Sequence, residues 1–329
     1  MSGVTGLINQ TVTMKTSGTV APHGRLNELW AVTPYFNSSG YQTKLQNFLR
    51  FREGLVDGGV QLITIECAFG DADFSLPPAE NIVQVRSKDT MWQKERLLNV
   101  ALDHLPPECT KVAWLDCDIL FENERWALQT SEALDKYPVV QPFETVVRLP
   151  RGHCRYQGEG HQWSGFAAVY RHQPHLMTEG DFNVHGHTGF AWAARREILT
   201  ECGLYDASLA GGADHLMAHA FCGDWDSCCV EVMIEKDSKA FGHFVKWAEH
   251  IYRRVRGRIF AVPGRIDHLW HGDPANRRYY ERHLEFKNFD FDPETDLRLG
   301  ASGCWEWNSA KPALHQWSRQ YFDLRKEDG

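Results

Sequence analysis

The sequence lacks a long hydrophobic run, since no stretch of about eighteen apolar residues occurs in it. We therefore expect no membrane span. The first residues, Met1–Pro22, are rich in Thr, Ser and Gly, and they lack the basic region and apolar core of a signal peptide. Together these absences predict a cytoplasmic protein that begins with a flexible N-terminal segment, residues 1–24.

The cysteine spacing and the net charge each argue against one further class of protein. The nine cysteines have no regular spacing, and their odd number argues against a secreted disulfide framework. The net charge of −8 argues against a surface covered with phosphate-binding residues, although a local basic patch is still compatible with it. The patterns G-x-G-x-x-G and G-x-x-x-x-G-K-[ST] are also absent, so we expect neither a dinucleotide fingerprint nor a P-loop.

Short apolar strands alternate with amphipathic helices in the first half of the sequence. Strands are expected at Leu29–Thr33, Val60–Glu66, Ile82–Val85 and Val112–Leu115. The last two are separated by a helix whose apolar residues recur at i, i+3, i+4 and i+7, namely Leu98, Ala101, Leu102 and Leu105. This alternation predicts an α/β fold, with a Rossmann-like, mostly parallel central sheet flanked by helices.

The strand Val112–Leu115 is followed directly by Asp116-Cys117-Asp118, which places two carboxylates at i and i+2. In open α/β sheets, ligands collect outside the carboxyl ends of the strands. Mg²⁺-type ions are held there by few protein carboxylates together with substrate oxygens. Paired Asp residues in a solvated turn are also common, so the motif alone does not establish a metal site.

Two later stretches carry further candidate residues. Asp214 follows Gly211-Gly212 at the start of a helical run, and it is either a plain helix cap or a functional carboxylate at the positive end of the helix dipole. The residues Ile259–Trp270 are expected to form a hairpin that delivers His268 and His271, and neutral imidazoles bind Mn²⁺ alongside carboxylates.

The middle and the end of the chain are less regular. Residues 148–186 are rich in Gly, His, Arg and aromatics, which predicts a long polar loop lining a cleft. Zinc binding by His153, Cys154 and His161 is the less favoured alternative, since no second Cys or His pair has the usual spacing. Basic runs at Arg253–Arg258 and Arg277–Arg282 are expected near the active face; the first is either a plain solvated face, which is the usual case, or a surface that meets a phosphate.

As a set, these residues resemble the nucleotide-sugar-dependent glycosyltransferases of the GT-A fold, close to family 2. The resemblance rests on four ordered pieces that span about residues 29–272: the strand ending in Asp116-Cys-Asp118, Gly189-Phe-Ala-Trp-Ala-Ala-Arg-Arg196, the stretch from Gly203-Leu-Tyr-Asp206 to Gly211-Gly-Ala-Asp214, and His268-Leu-Trp-His271. It implies a glycosyltransferase domain over residues 25–275. Apart from the resemblance, Trp305, Trp307 and Trp317 predict an aromatic-rich C-terminal extension, 276–329, packed on that domain.

The resemblance also implies roles for individual residues. Asp116 and Asp118 would hold Mn²⁺ or Mg²⁺ on the donor diphosphate, and His271 or His268 would complete the metal shell. Asp214 maps to the general base of the family, although Ala213 stands where the family has Glu. The implied donor-binding residues are Pro34, Tyr35, Glu66, Lys94, Asp116 and Cys117. The expected contacts to acceptor or phosphate are Gly189, Gly212, Trp270 and Arg277.

This resemblance implies an enzyme that transfers a sugar from a nucleotide sugar, most simply a UDP-sugar, and we expect inversion. The acceptor is left open between a small molecule, a glycan and a hydroxymethylated base in DNA. A nucleotidyltransferase that makes a nucleotide sugar also fits D-x-D, but it would need no base at Asp214. A carbohydrate-binding protein that uses the tryptophan-rich tail is the third alternative, and it leaves the three carboxylates unexplained.

Overall fold

The computed structural model describes residues 27–179 and 182–329, so the predicted flexible segment 1–24 lies outside the described residues. The strands are β1 Leu29–Tyr35, β2 Gln61–Phe69, β3 Ile82–Ser87, β4 Lys111–Leu115, β5 Ile119–Phe121, β6 Val139–Gln141, β7 Thr145–Arg148, β8 His161–Ser164, β9 Ala191–Arg195, β10 Ile259–Ala261, β11 Arg265–His268, β12 Leu297–Leu299 and β13 Trp305–Trp307.

Helices connect most of these strands. They are α1 Gln42–Asp57, α2 Lys94–Leu102, α3 Trp126–Leu134, α4 Phe166–His172, α5 Phe182–His185, α6 Arg196–Cys202, α7 Ala213–Cys222, α8 Cys228–Met233, α9 Lys239–Val255, α10 Glu281–Phe286, α11 Pro293–Asp296 and α12 Pro312–Leu324. Short 3₁₀ turns lie at Pro174–Thr178, Pro274–Arg277 and Lys287–Phe289. Among the described residues, no helix is both long and apolar enough to cross a bilayer.

A seven-stranded sheet forms the centre of the fold, in the order β10-β6-β9-β4-β1-β2-β3. Its neighbouring strands are parallel, except that β9 runs antiparallel to both β4 and β6. The predicted fold class, a mostly parallel central sheet flanked by helices, is confirmed. A smaller sheet has the order β5-β11-β7-β8, and β12 pairs with β13 near the C-terminus.

The central sheet is buried on both faces because its strands are apolar on successive residues. Val32 of β1 packs in the same cluster as Leu97 and Leu98 of α2. Its neighbour Ala31 points to the other face and packs in the cluster that contains Phe48 of α1. This alternation along the strand fixes a helix layer on each side of the sheet.

Two predictions about local structure are wrong. Residues 148–186 are not one irregular loop, since they contain β8 and α4, which is anchored by the fully buried Phe166. Residues 259–270 are not a hairpin, because β10 pairs with β6 in the central sheet while β11 pairs with β5 and β7 in the smaller one. Gly264, with a φ of +133°, lies between the two strands where the chain leaves the first sheet.

The residues after 275 fold back over the edge of the central sheet. Phe322 of α12 packs against Phe36, Phe69 and Trp92, with ring centroids 5.9, 5.8 and 6.3 Å away. Tyr41 Oη donates to the carbonyl of Asp323 at 3.0 Å. These contacts bring the last residues of the chain close to the end of β1, although the division at residue 275 stays a prediction.

Candidate functional site

Three strand termini meet at one edge of the central sheet. Pro34 lies at the end of β1 and Asp116 directly after β4. Because β9 is antiparallel, its first residues lie beside the end of β4, and the Asp116 N–H donates to the carbonyl of Phe190 at 2.8 Å. A cavity of about 480 Å³ opens at this edge. In open α/β sheets this is the edge where ligands bind.

The smaller sheet brings two histidines to Asp118. β5 begins at Ile119, which pairs with His268 of β11, and the Leu269 N–H donates to the Asp118 carbonyl at 2.8 Å. His271 Nε2 lies 3.2 Å from Asp118 Oδ2, and His268 Nε2 lies 3.7 Å from Asp118 Oδ1. We call Asp118, His268 and His271, which all line the cavity, the open cluster.

The chemistry of the open cluster fits a divalent cation. Asp118 Oδ1 is buried and has no hydrogen-bond partner among the residues that the structure describes. Burial raises the pKa of the Asp118 carboxyl, against the opposing charges of Lys44 and Arg277. Burial, together with Arg148 and Arg277, lowers the pKa of His268 well below its usual value, so its imidazole is neutral at pH 7. A carboxylate and neutral imidazoles are ligands that Mn²⁺ accepts.

Arg277 and two residues near the C-terminus, Arg325 and Glu327, support the open cluster through a chain of contacts. Arg277 contacts the His271 ring, and its Nη1 donates to Glu327 Oε1 at 3.1 Å. Glu327 is only 1% exposed, and it also accepts from Arg325 Nε at 2.7 Å. Glu327 and Arg325 could not be predicted from the sequence, because nothing in the local sequence connects the last residues of the chain to the ends of β4 and β11.

Asp214 lies at another wall of the same cavity, in the first turn of α7. Gly211 and Gly212 precede it with φ values of +76° and +81°, which favour glycine. Lys94 Nζ lies 2.7 Å from Asp214 Oδ2 and 2.6 Å from Asp116 Oδ1, so one ammonium bridges the two carboxylates. Burial, together with the charges of Asp214 and Asp118, raises the pKa of Asp116 to about 6 despite Lys94.

Glu95 also lines the first cavity, and it was not among the site residues predicted from the sequence. Its side chain lines the cavity but is only 3% exposed. Burial raises the pKa of the Glu95 carboxyl to about 8, while Lys94 opposes the shift. The one sequence signal is a Lys-Glu pair at the start of an amphipathic helix, and such pairs are usually solvated. Glu95 therefore adds to the cavity lining a carboxyl that keeps its proton to a higher pH than usual.

An aromatic wall closes the side of the cavity that faces the smaller sheet. The Arg148 guanidinium lies over the rings of Trp163 and Tyr279, at 4.9 and 5.4 Å from their centroids. A second cavity of about 480 Å³ shares this wall and also contains Trp270, whose ring lies 4.6 Å below the Arg151 guanidinium. The lining that the two cavities share therefore includes a planar cation that lies over two aromatic rings.

The structure brings most of the predicted site residues together. Those that line the first cavity are Pro34, Lys94, Asp116, Cys117, Asp118, Gly189, Gly212, Asp214, His268, His271 and Arg277. Trp270 lines the second cavity instead.

Two predicted donor-binding side chains do not line the cavity. Tyr35 is fully buried and packs on Phe48 at 5.0 Å, because it points away from the cavity at the end of β1. Glu66 is buried and accepts from the N–H of Leu76 at 3.0 Å and from Gln84 Nε2 at 2.9 Å. Tyr35 therefore packs on helix α1, and Glu66 holds the loop between β2 and β3.

The two basic runs lie in different places. Arg277 and Arg282 line the cavity, as expected. The run Arg253–Arg258 precedes β10, and Arg258 Nη2 donates to the carbonyl of Lys136 just before β6 at 2.6 Å. Since β6 and β10 run in the same direction as β4, this run lies at the opposite edge of the sheet. The prediction that it lies near the active face is wrong.

The cavity is more positive than the chain as a whole. Six cationic side chains line it, against four carboxylates, although the net charge of the chain is −8. The cations are Lys44, Lys94, Arg148, Arg277, Arg282 and Arg325, and the carboxylates are Glu95, Asp116, Asp118 and Asp214. A surplus of positive charge in a concave site attracts anionic ligands.

No protein-family model matches the sequence, and no curated protein matches it. Among solved structures, the chain is similar to glucosyl-3-phosphoglycerate synthase from Mycobacterium tuberculosis in complex with Mn²⁺, uridine-diphosphate-glucose and phosphoglyceric acid. The identity is 14% and the TM-score 0.40, over 90% of this chain and 92% of that one.

Two further solved structures show lower TM-scores. The catalytic domain of Drosophila beta1,4-galactosyltransferase 7 in complex with xylobiose is 14% identical, with a TM-score of 0.31 over 58% of this chain. The match spans 58% of the length of that catalytic domain. The 4-diphosphocytidyl-2C-methyl-D-erythritol synthase from Anaerococcus prevotii is 12% identical, with a TM-score of 0.31 over 72% of this chain and 88% of that one.

Proposed function

We propose that this chain is a metal-dependent glycosyltransferase that moves a sugar from a nucleotide-sugar donor, a UDP-sugar in the first instance, to an acceptor hydroxyl. The observation that carries the proposal is that the open cluster and Asp214 line one cavity at the carboxyl edge of the central sheet. A cation-binding group, a carboxylate base and a surplus of basic side chains are what transfer from a sugar diphosphate requires.

The donor would bind with its diphosphate beside the open cluster, where Asp118, His268 and His271 hold Mn²⁺ or Mg²⁺. When bound, the cation supplies stabilisation of the charge that develops on the leaving diphosphate. Lys94 and Arg277 line the same cavity and would donate hydrogen bonds to phosphate oxygens. Asp116 pairs with Lys94 rather than with the two histidines, so we assign it to orienting that ammonium.

Asp214 is the proposed general base. Lys94 holds its carboxylate at 2.7 Å, within the cavity wall. The carboxylate would take the proton of the acceptor hydroxyl as the hydroxyl oxygen bonds to the anomeric carbon, while the bond from that carbon to the diphosphate oxygen breaks. A single displacement of this kind inverts the anomeric configuration.

The charge of the cavity favours an acceptor that is itself anionic. Six cationic side chains face four carboxylates, and a divalent cation would add to this surplus. A nucleotide-sugar diphosphate offsets only part of it. With the run Arg253–Arg258 at the opposite edge, the basic surface that a DNA acceptor would follow is reduced, which favours a small phosphorylated or carboxylated acceptor over hydroxymethylated DNA.

Thermal melting with UDP, GDP, CMP and their sugar conjugates, each with and without Mn²⁺, tests the proposal. One nucleotide is expected to stabilise the protein only with Mn²⁺, by roughly 2.7 kcal/mol at one hundred times its Kd. Asp118→Ala should remove this effect. Asp57→Ala, an exposed carboxylate at the end of α1, is the matched control and should keep it.

The proposal is wrong if no nucleotide shifts the midpoint with any divalent cation. Release of pyrophosphate from a nucleoside triphosphate and a sugar phosphate would instead assign the cavity to a nucleotidyltransferase. Once the donor class is known, transfer to phosphorylated small molecules and to hydroxymethylated DNA can be compared directly, with product anomers identified by NMR.

A further inference from the structure

Four metal-ligating side chains meet next to the cavity and separately from the open cluster. They are His185 of α5, His215 and His219 of α7 and Cys229 of α8, and each offers a ligand atom within 4.8 Å of the others. Their exposed fractions are 1%, 3%, 0% and 2%. We call them the closed cluster because all four are buried, although His215 also contributes to the wall of the first cavity.

Helix geometry and short contacts bring the four residues together. His215 and His219 are four residues apart, so they lie on one face of α7 with ring centroids 4.4 Å apart. The carbonyl of Cys229 lies 3.1 Å from His215 Nε2, which ties the start of α8 to α7. The His185 ring lies 5.4 and 5.5 Å from the two other imidazoles.

Hydrogen bonds to oxygen assign one ring nitrogen of each histidine as a donor. His185 Nδ1 lies 2.8 Å from the Gly186 carbonyl, His215 Nε2 3.1 Å from the Cys229 carbonyl, and His219 Nδ1 2.7 Å from Asp224 Oδ2. These oxygens accept only, so in the neutral rings the proton lies on the nitrogen that faces each oxygen, and the other ring nitrogen of each histidine is the candidate ligand atom.

His219 supplies a second, independent observation. Its Nε2 is buried, and no hydrogen-bond partner lies near it in residues 27–179 or 182–329. A buried nitrogen without a partner carries a desolvation cost, which a ligand can remove. The arrangement in which Asp224 accepts from the other nitrogen is the one that orients histidines towards metal ions in proteins.

We propose that the closed cluster binds one structural Zn²⁺ ion through three imidazole nitrogens and the Cys229 thiolate. Four protein ligands leave no open position, which distinguishes a structural site from a catalytic one. Binding would release the Cys229 thiol proton to solvent, and the charges of the thiolate and of the Asp224 carboxylate would then offset the charge of the ion. A tetrahedral site needs ligand separations of about 3.3–3.6 Å, so the side chains would close in by roughly 1 Å.

The ion would join α5, α7 and α8 at the side of the cavity. His215 directly follows Asp214 in α7, and Cys229 is in the first turn of α8. The helices are short, and α5 and α8 are too short to be stable by themselves. A metal that connects them would fix the first turn of α7, whatever reaction the cavity performs.

Metal analysis of the full purified chain tests the proposal directly. One zinc per chain is expected after dialysis, and Cys229→Ser and His219→Gln should each lose it. Cys228→Ser is the matched control, since Cys228 is the adjacent, exposed cysteine. Asp118→Ala should also keep the zinc, because it alters only the open cluster. Retention of the zinc by Cys229→Ser would overturn the assignment.

Substitution of Co²⁺ for zinc in the unaltered chain gives a readout that does not depend on variants that fold. The metal-stripped protein is expected to bind one Co²⁺ with the strong visible absorption of a tetrahedral site and a thiolate-to-cobalt charge-transfer band. Cys228→Ser should show both features. Stripped wild-type protein that binds Co²⁺ without a thiolate band, or that binds neither Co²⁺ nor Zn²⁺ at one per chain, would contradict the proposal.

Discussion

The open and closed clusters contain the same side-chain type, histidine, in two different surroundings. In the open cluster the histidines accompany a carboxylate, face a cavity and have cations behind them, with Arg277 in contact with His271. In the closed cluster they accompany a thiol, are buried, and donate to backbone carbonyls or to Asp224.

The difference shows how the surroundings of a histidine, rather than its presence, determine what it can do. A carboxylate with an open face suits a hard cation that is shared with substrate oxygens. A thiol with buried imidazoles suits a borderline-soft cation that stays with the protein. We therefore expect an exchangeable ion at the open cluster and a retained ion at the closed one.

The largest expected effect comes from Asp214, which lines the cavity with the open cluster and directly precedes His215 of the closed cluster. Asp214→Asn should lower kcat by roughly 10² to 10⁴, because the acceptor hydroxyl loses its base. Nucleotide binding with Mn²⁺ and the zinc content should both be unchanged. Steady-state kinetics, thermal melting and metal analysis on one preparation check this, and a loss of donor binding with kcat preserved would assign Asp214 to the donor instead.

An intermediate effect is expected from the two carboxylates that support the clusters. Glu327→Gln should weaken Mn²⁺ binding roughly 10- to 100-fold, since Glu327 holds Arg277 behind His271. Asp224→Asn should weaken zinc binding by a similar factor, because it no longer orients His219.

Each of these variants is the control for the other. Competition with a chromophoric chelator measures both affinities, and neither variant should change the affinity of the other cluster. If Glu327→Gln released the zinc, or Asp224→Asn weakened Mn²⁺ binding, the two clusters would form one coupled unit and the contrast between them would fail.

The sequence predicted the open cluster better than the closed one for a physical reason. Asp116 and Asp118 end a buried strand, and ligand sites at strand ends can be inferred from the strand pattern alone. The alternation of strands and helices likewise predicted the central sheet. The closed cluster gave only one local signal, the i, i+4 pair of His215 and His219, because the approach of His185 and Cys229 to that pair depends on how three helices pack. The zinc alternative considered from the sequence used His153, Cys154 and His161 instead.

Two errors in the fold prediction have the same origin. Ile259–Ala261 and Arg265–His268 are close in sequence, but they pair with strands from elsewhere in the chain. The sequence of a short strand does not specify its partner, so adjacent strands were assigned to each other. The position of Glu327 beside the open cluster could not be predicted from the sequence for the same reason, since only the folded chain brings its Oε1 to within 3.7 Å of His271 Nδ1.

The smallest expected effect concerns a contrast between two buried carboxyls, Asp224 and Glu95, whose pKa values are shifted in opposite directions. Beside the closed cluster, hydrogen bonds from His219 and Ser227 lower the pKa of Asp224, although burial alone would raise it. In the cavity, burial raises the pKa of Glu95 to about 8. The folded state thus holds a proton on Glu95 that the unfolded state loses near its ordinary pKa of about 4.5, so the free energy of unfolding falls as pH rises through this range.

Glu95→Gln removes this titration, so its stability relative to wild type should rise by about 1 kcal/mol between pH 7 and pH 8. Urea unfolding in chelated buffer at both pH values measures the difference. Glu108→Gln, an exposed carboxyl before β4, is the matched control and should show no such change. Equal differences at the two pH values would mean that Glu95 is already ionised in the cavity. The first cavity would then hold four carboxylate charges, those of Asp116, Asp118 and Asp214 and that of Glu95. The contrast between the open cluster and the closed cluster would become sharper.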